Sequence, residues 1–156
     1  MPEPATTATI LEVRMQSRVP VVLLVEDDPG DVLMITEAFE RVERPPVLHR
    51  VGDGQEALEF LRRPGAPQPD LILLDLNMPR LDGRRTLAAL KDDPVLRAVP
   101  VVVFTTSDAE ADVLSSYQQH ANAYVTKPID LASFEDVVER IERFYTATSA
   151  LLPVQR

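Results

Sequence analysis

Four short stretches end in groups that can do chemistry. Glu26, Asp27 and Asp28 follow "VVLLV", and Asp75 follows "LILL". Thr105, Thr106 and Ser107 follow or close "VVVF", and Lys127-Pro128 follows "AYVT". If the chain brings these ends together, several carboxylates, a hydroxyl and an ammonium share one rim. Carboxylates packed together raise one another's pKa unless something neutralises them. A hard divalent cation with oxygen ligands does so, and Mg²⁺ suits the set because the chain has no cysteine to offer a thiolate. Mg²⁺ keeps waters and commonly serves a phosphoryl group. Lys127 and a threonine hydroxyl can hold the remaining phosphoryl oxygens. Asp75 is then available as a nucleophile that forms an aspartyl phosphate.

Such a rim requires a particular arrangement of elements. Val-rich "VPVVLLV" reads as a strand near 20–25, followed by a helix whose apolar face carries Val32, Ile35, Phe39 and Val42. "PVLHRV" and "LILLD" read as strands, as do "VPVVVFTTS" and "AYVTKP". Between them lie helical patterns at "GQEALEFLRR", at "GRRTLAALKDD" (stopped by Pro94) and at "DAEADVLSSYQQH". Ser107 or Asp108 is the expected N-cap of that fourth helix, with Glu110 completing a capping box. A last helix is expected from about Leu131 to Tyr145, with Leu131, Phe134, Val138, Ile141 and Tyr145 on one face. Five aliphatic strands alternating with five helices indicate an α/β protein with a parallel sheet covered on both faces. In such sheets ligands gather beyond the carboxyl ends of the strands, where the reactive groups lie.

Composition bounds the function. The chain has 156 residues and a formal net charge of −9, which disfavours direct contact with nucleic acid or an anionic membrane. Its longest apolar runs are strand-sized, and "MPEPATTATILEVRMQSR" lacks the basic start and apolar centre of a secretory signal. A cytoplasmic protein is expected, with a loose extension over 1–18, one domain over 19–146 and a tail over 147–156. Several residues have plainer readings. Asp28, just before Pro29, suits a helix cap. His49 and His120 belong to no ligand cluster. "EDVVERIER" is a solvated helix face with scope for i,i+4 ion pairs.

The motifs "LLVEDD", "LILLDLNMPRLDG", "VVVFTTS" and "AYVTKP", in that order and over about residues 20–145, resemble the receiver domain of two-component response regulators. The resemblance implies a flavodoxin-like (βα)5 fold with strand order 2-1-3-4-5. It implies that Asp75 takes a phosphoryl group from the phosphohistidine of a sensor histidine kinase. Asp27 would ligate Mg²⁺ directly, Glu26 through water, and Asn77 through its backbone carbonyl. Thr105 matches the switch hydroxyl, Tyr124 the switch aromatic and Lys127 the lysine that pairs with phosphoryl oxygens. Pro128 matches the proline after it, often in a cis peptide bond, and Gly83 the glycine closing the loop after the third strand. The family implies a signalling phosphoacceptor that assists its own phosphorylation and dephosphorylation, rather than an enzyme acting on a separate substrate.

Two positions depart from the common pattern. Glu26 stands where many members have aspartate, and Thr106 where many have alanine. Asn77 and Ser107 are expected beside the phosphoryl group, tuning attack by water. The chain after Lys127 is too short for a DNA-binding domain, so output is expected through protein contacts on the face of the fourth helix, fifth strand and last helix. Phe144, Tyr145, Leu151 and Leu152 either extend an apolar homodimer surface there or pack on the core. The layout is most similar to regulators paired with bacterial or cyanobacterial phytochromes, which makes a red-light-sensing kinase the expected partner. The alternative within the family is an intermediate phosphate carrier, or another single-domain regulator unconnected with light.

Other families fit less well. A haloacid-dehalogenase-like phosphatase needs a second aspartate two residues after the nucleophile, and here that residue is Asn77. The same asparagine and the acidic surface disfavour a metal nuclease or primase-like site. A flavodoxin-like FMN carrier needs a hydroxyl- and amide-rich phosphate loop, and "EDDPGD" would repel the phosphate. The joint presence of Glu26, Asp27, Asp75, Thr105 and Lys127 argues against a receiver that never takes phosphate.

Overall fold

Alternate residues of the central strands point to opposite faces, and here both faces are apolar. Leu23 and Val25 of the first strand enter one cluster, with Ile72 and Leu74 of the third and Val101 and Val103 of the fourth. Val22 and Leu24 enter the other, with Leu71, Leu73, Val102 and Phe104. Such strands can only be central and covered on both sides. The computed structural model describes residues 18–153 and shows this arrangement. Five parallel strands, β1 (Val21–Val25), β2 (Val47–Val51), β3 (Leu71–Leu74), β4 (Val101–Thr105) and β5 (Ala123–Thr126), lie in the order β2-β1-β3-β4-β5. This is the expected flavodoxin-like order.

Helices α1 (Pro29–Glu40), α2 (Gly54–Arg62), α3 (Gly83–Asp92), α4 (Glu110–Gln118) and α5 (Leu131–Arg143) alternate with the strands. Ile35 and Phe39 of α1 and Phe134, Val138 and Ile141 of α5 cover one face; Leu58 of α2 and Leu87 and Leu90 of α3 cover the other. Four helices start alike. The carboxylates of Asp28, Asp53, Asp82 and Asp130 each accept the amide N–H three residues on, which satisfies an orphan donor of the first turn. The plain reading of Asp28 as a cap is correct.

Some local expectations are revised. Helix α4 begins at Glu110 with Ala109 at the cap position and no side-chain cap, so neither Ser107 nor Asp108 caps it. The Ser107 hydroxyl is drawn away, donating to Asp112 Oδ2 at 2.6 Å. Helix α1 stops at Glu40, short of Val42, and Leu131 is exposed in the first turn of α5. The last helix ends at Arg143 and continues as a wider π-helical turn over Phe144–Thr148. No cis peptide occurs among the described residues, so the bond before Pro128 is trans, the isomer an X–Pro amide itself favours. His49 packs its ring 5.1 Å from that of Phe60, and His120 lies in a turn at φ 68°. Arg140 and Asp136 form the anticipated i,i+4 pair at 3.1 Å.

At the amino ends of the strands, Arg18 reaches the otherwise buried Asp70. Its Nη1 donates to Asp70 Oδ2 at 2.8 Å and its Nη2 to the Leu152 carbonyl at 2.9 Å. Asp70 Oδ2 also accepts from the Val21 amide at 2.8 Å. Arg18, which the sequence assigns to the extension, is thus tied to the sheet; the rest of that expected extension lies outside the described residues. Leu152 packs against one core cluster and Tyr145 against the other, so these two pack on the core, while Phe144 is exposed. Among the described residues no helix is long and apolar enough to cross a membrane.

Two contacts hold α3 in place. The first is steric. A Cβ on Gly83 would lie 2.0 Å from the Asp75 carbonyl oxygen and 2.6 Å from Leu76 Cα, so only glycine lets α3 start directly behind the end of β3. The second is ionic. Arg84 Nε and Nη2 donate to Asp112 Oδ1 and Oδ2 at 2.9 and 2.8 Å, joining α3 to α4.

Gly83→Ala is expected to cost about 2 kcal/mol or more, because backbone rather than a flexible side chain must yield. A thermal melt should fall by several degrees, and an unchanged melt would show that the close approach is not enforced. The Arg84 hydrogen bond, then that of Ser107, hold the Asp112 carboxyl below its ordinary range. A depressed carboxylate stabilises the fold above its unfolded pKa and loses that contribution as pH falls through the folded value. Asp112→Asn should therefore lower the melting temperature at pH 7 and matter progressively less as the pH falls below the ordinary carboxylate range; a loss that does not shrink with acidification would refute the charge assignment.

Candidate phosphoacceptor site

The carboxyl ends of β1, β3, β4 and β5 converge on one buried ammonium. Strands β1 and β3 are adjacent and in register, Val25 opposite Leu74, so Glu26 and Asp75 emerge side by side. The Asp75 amide donates to the Val25 carbonyl at 3.1 Å, and the Glu26 amide to the Val51 carbonyl at 3.1 Å. Strand β5 pairs with β4, and the Lys127 amide donates to the Thr105 carbonyl at 2.7 Å. Aliphatic strands in fixed register thus set the spacing of the polar groups that follow them.

Lys127 Nζ donates to Glu26 Oε2 at 2.7 Å, to Asp31 Oδ2 at 2.7 Å and to Asp75 Oδ2 at 3.4 Å. Lys127, Glu26 and Asp75 are all buried. Burial is the largest influence on Glu26 and pushes its carboxyl up to about 7, against the pull of the Lys127 hydrogen bond. Burial also opposes the charge on Lys127, but the hydrogen bonds to Asp31 and Glu26 outweigh it and hold the ammonium above its usual range. Among the described residues, Lys127 is thus the cation that meets the carboxylates of Glu26, Asp31 and Asp75 together.

Glu26, Asp27 and Asp75 each offer a carboxylate oxygen, and these atoms lie within 4.8 Å of one another. Asp27 is the solvent-accessible member. This donor set, all oxygen and mostly anionic, fits a hard divalent ion. Asn77 follows two residues after Asp75, and its amide donates to Asp75 Oδ1 at 3.3 Å. The Thr105 hydroxyl is buried and has no hydrogen-bond partner among the described residues. A hydroxyl in that condition at the end of β4 is short of an acceptor, as a site awaiting an anion requires.

The remaining expected residues form a second group. Tyr124 is half-buried against the core, and its hydroxyl donates to the Ser107 carbonyl at 2.7 Å. Burial raises its pKa. Through Ser107 and Asp112 this group reaches Arg84. The Ser107 hydroxyl is thus engaged with α4 rather than pointing free at the rim, and Thr106 is exposed beside it. Pro128 follows Lys127 and leads to Asp130, the cap of α5. Gly83 sits behind Asp75, as described above.

Three participants escape sequence reasoning. Asp31 resembles any acid in the first turn of a helix, where the helix dipole welcomes it. Its spacing from Asp28 suggests nothing more. Arg84 and Asp112 are brought together only by the tertiary fold.

Comparison with known proteins agrees with this geometry. The family model of the response regulator receiver domain matches residues 22–139. Response regulator Rcp1 of Synechocystis is 42% identical over 135 residues, spanning 84% of this chain and 92% of that protein. Among solved structures, the phosphorylated cyanobacterial phytochrome response regulator RcpA superposes with a TM-score of 0.84 at 42% identity, covering 87% of this chain and all of that one. The Mn²⁺-bound form of Rcp1 superposes with a TM-score of 0.82 at 41% identity, covering 86% and 99%. With this fold, this rim and these relatives, the chain belongs to the response regulator receiver domains, a family of phosphoacceptor signalling proteins that bind a divalent metal.

Proposed function

We propose that Asp75 accepts a phosphoryl group from the phosphohistidine of a sensor histidine kinase, in a reaction that uses Mg²⁺ at Glu26, Asp27, Asp75 and the Asn77 carbonyl. The observation that carries this reading is the buried knot of Glu26, Asp75 and Lys127, with a buried Thr105 hydroxyl that has no partner among the described residues at the end of the strand between those of Asp75 and Lys127. A carboxylate oxygen of Asp75 attacks phosphorus, the P–N bond breaks, and its electron pair leaves on the imidazole nitrogen, giving an acyl phosphate. The bound divalent ion supplies charge neutralisation for the phosphoryl oxygens and the carboxylates around them. Lys127 turns from its carboxylates to a phosphoryl oxygen, and the Thr105 hydroxyl gains the acceptor it lacks. Dephosphorylation reverses the charge change when water attacks phosphorus and the Asp75 carboxylate leaves. In both steps the chain assists its own chemistry.

Output follows as a population shift between surfaces. Movement of Thr105 alters the β4–α4 loop, which carries the Ser107 carbonyl that holds Tyr124. The surface formed by α4, β5 and α5 then changes its presentation to partners. Leu114, Tyr117 and Phe144 are exposed, which supports a homodimer or target contact on that side. Similarity to Rcp1 and RcpA favours a phytochrome-type kinase as the phosphoryl donor, in the cytoplasm.

Incubation with acetyl phosphate and Mg²⁺ should add one phosphoryl mass to the wild type, none to Asp75→Asn, and none when the metal is chelated. Intact-mass spectrometry decides it: an unmodified wild type, or an equally modified Asp75→Asn, ends the reading. Sedimentation of the phosphorylated chain should show a dimer that Tyr117→Glu weakens; a monomer at all concentrations would remove the dimer from the scheme.

A further inference from the structure

Lys127 has three acceptors, and they are not equivalent. Glu26 and Asp75 belong to the cluster of carboxylates suited to a divalent ion, while Asp31 does not. Once a cation draws Glu26 and Asp75, Asp31 is the acceptor left uncommitted. It comes from α1 rather than from a strand end, its own amide donating to the cap residue Asp28 at 2.9 Å. Its carboxylate is four-fifths shielded, with a side-chain exposure of 20%, and its contact with Nζ, at 2.7 Å, is shorter than that of Asp75, at 3.4 Å.

We infer that Asp31 is a positioning residue of the phosphotransfer site, holding the Lys127 ammonium in reserve and competing with the incoming phosphoryl group for it. This rests on the reading of Asp75 as phosphoacceptor. The effect acts through the ammonium: a charge-assisted hydrogen bond to Asp31 must break before Lys127 can serve the phosphoryl oxygens. Asp31 thereby sets how readily the site accepts an anion without touching the phosphoryl group itself. A purely structural ion pair between α1 and the end of β5 would instead be felt in stability alone.

The discriminating probe is beryllofluoride in excess Mg²⁺, a phosphoryl mimic that binds without chemistry, followed by titration calorimetry on the full chain. Asp31→Asn should tighten beryllofluoride about three- to tenfold, the gain expected from removing one partly shielded charge-assisted competitor. Mg²⁺ alone should bind nearly as in the wild type, because Asp31 is outside the carboxylate cluster. In a Lys127→Ala background the effect of Asp31→Asn should largely vanish, since the competition is for that ammonium. Unchanged or weaker beryllofluoride binding in Asp31→Asn, with only the melting temperature altered, would overturn the inference while leaving Asp75 as acceptor. The same tightening with and without Lys127 would also overturn it, replacing competition by simple charge repulsion. No beryllofluoride binding by the wild type, or full binding by Asp75→Asn, would remove the reading on which the inference stands.

Discussion

One buried ammonium among several carboxylates is the constraint on which the molecule is organised. Removing Lys127 would leave the carboxyls of Glu26 and Asp75 buried together without the ammonium that both contact, and breaking a buried pair in this way costs several kcal/mol. Keeping it leaves the site still negative, so a divalent ion is attracted rather than merely tolerated. On the proposed phosphorylation of Asp75, the added negative charge would draw both the Lys127 ammonium and the buried Thr105 hydroxyl, and each sits at a strand end. On that reading the chemistry and the conformational signal have one electrostatic origin.

The scaffold makes that response transmissible. Strands β1, β3 and β4 are buried on both faces, so their ends are fixed with respect to one another, and full burial of each leucine side chain contributes roughly 1.5–3 kcal/mol. Gly83 lets α3 abut the backbone of Asp75 without a side chain between them. From α3 the ion pair of Arg84 with Asp112 reaches α4, and the Ser107 and Tyr124 hydroxyls complete the path to β5. The rigid part of the molecule ends where the adjustable hydrogen bonds begin.

Much of this could be read from residue order. In a parallel sheet the carboxyl ends must share one rim, so aliphatic runs ending in Glu26, Asp75, Thr105 and Lys127 declare both the fold and the site. Gly83 was legible as a loop closure, though not the backbone contact that excludes any other residue. Where reading failed, side-chain choice was responsible. Ser107 had the spacing of an N-cap, yet its hydroxyl found Asp112 instead. Asp31 had an adequate local reason to exist at a helix start, and its bond to Lys127 depends on where a long flexible side chain settles. The proline that Pro128 matches often follows a cis bond in the family, and here the bond is trans. These are choices between nearly equal local options, decided by tertiary contacts that no periodicity encodes.

The clasp made by Arg18 has a practical meaning for anyone building on this domain. It draws the start of the described chain and the Leu152 carbonyl to the same pole of the sheet. Asp75 lies at the opposite pole, a strand length away, about 15 Å at the usual rise per residue. A cargo joined at residue 18 or at residue 153 would hang from that shared pole, and short linkers at both points would bring two such cargoes into mutual reach. The acidic rim and the two ends of the described chain thus lie at opposite poles of the sheet.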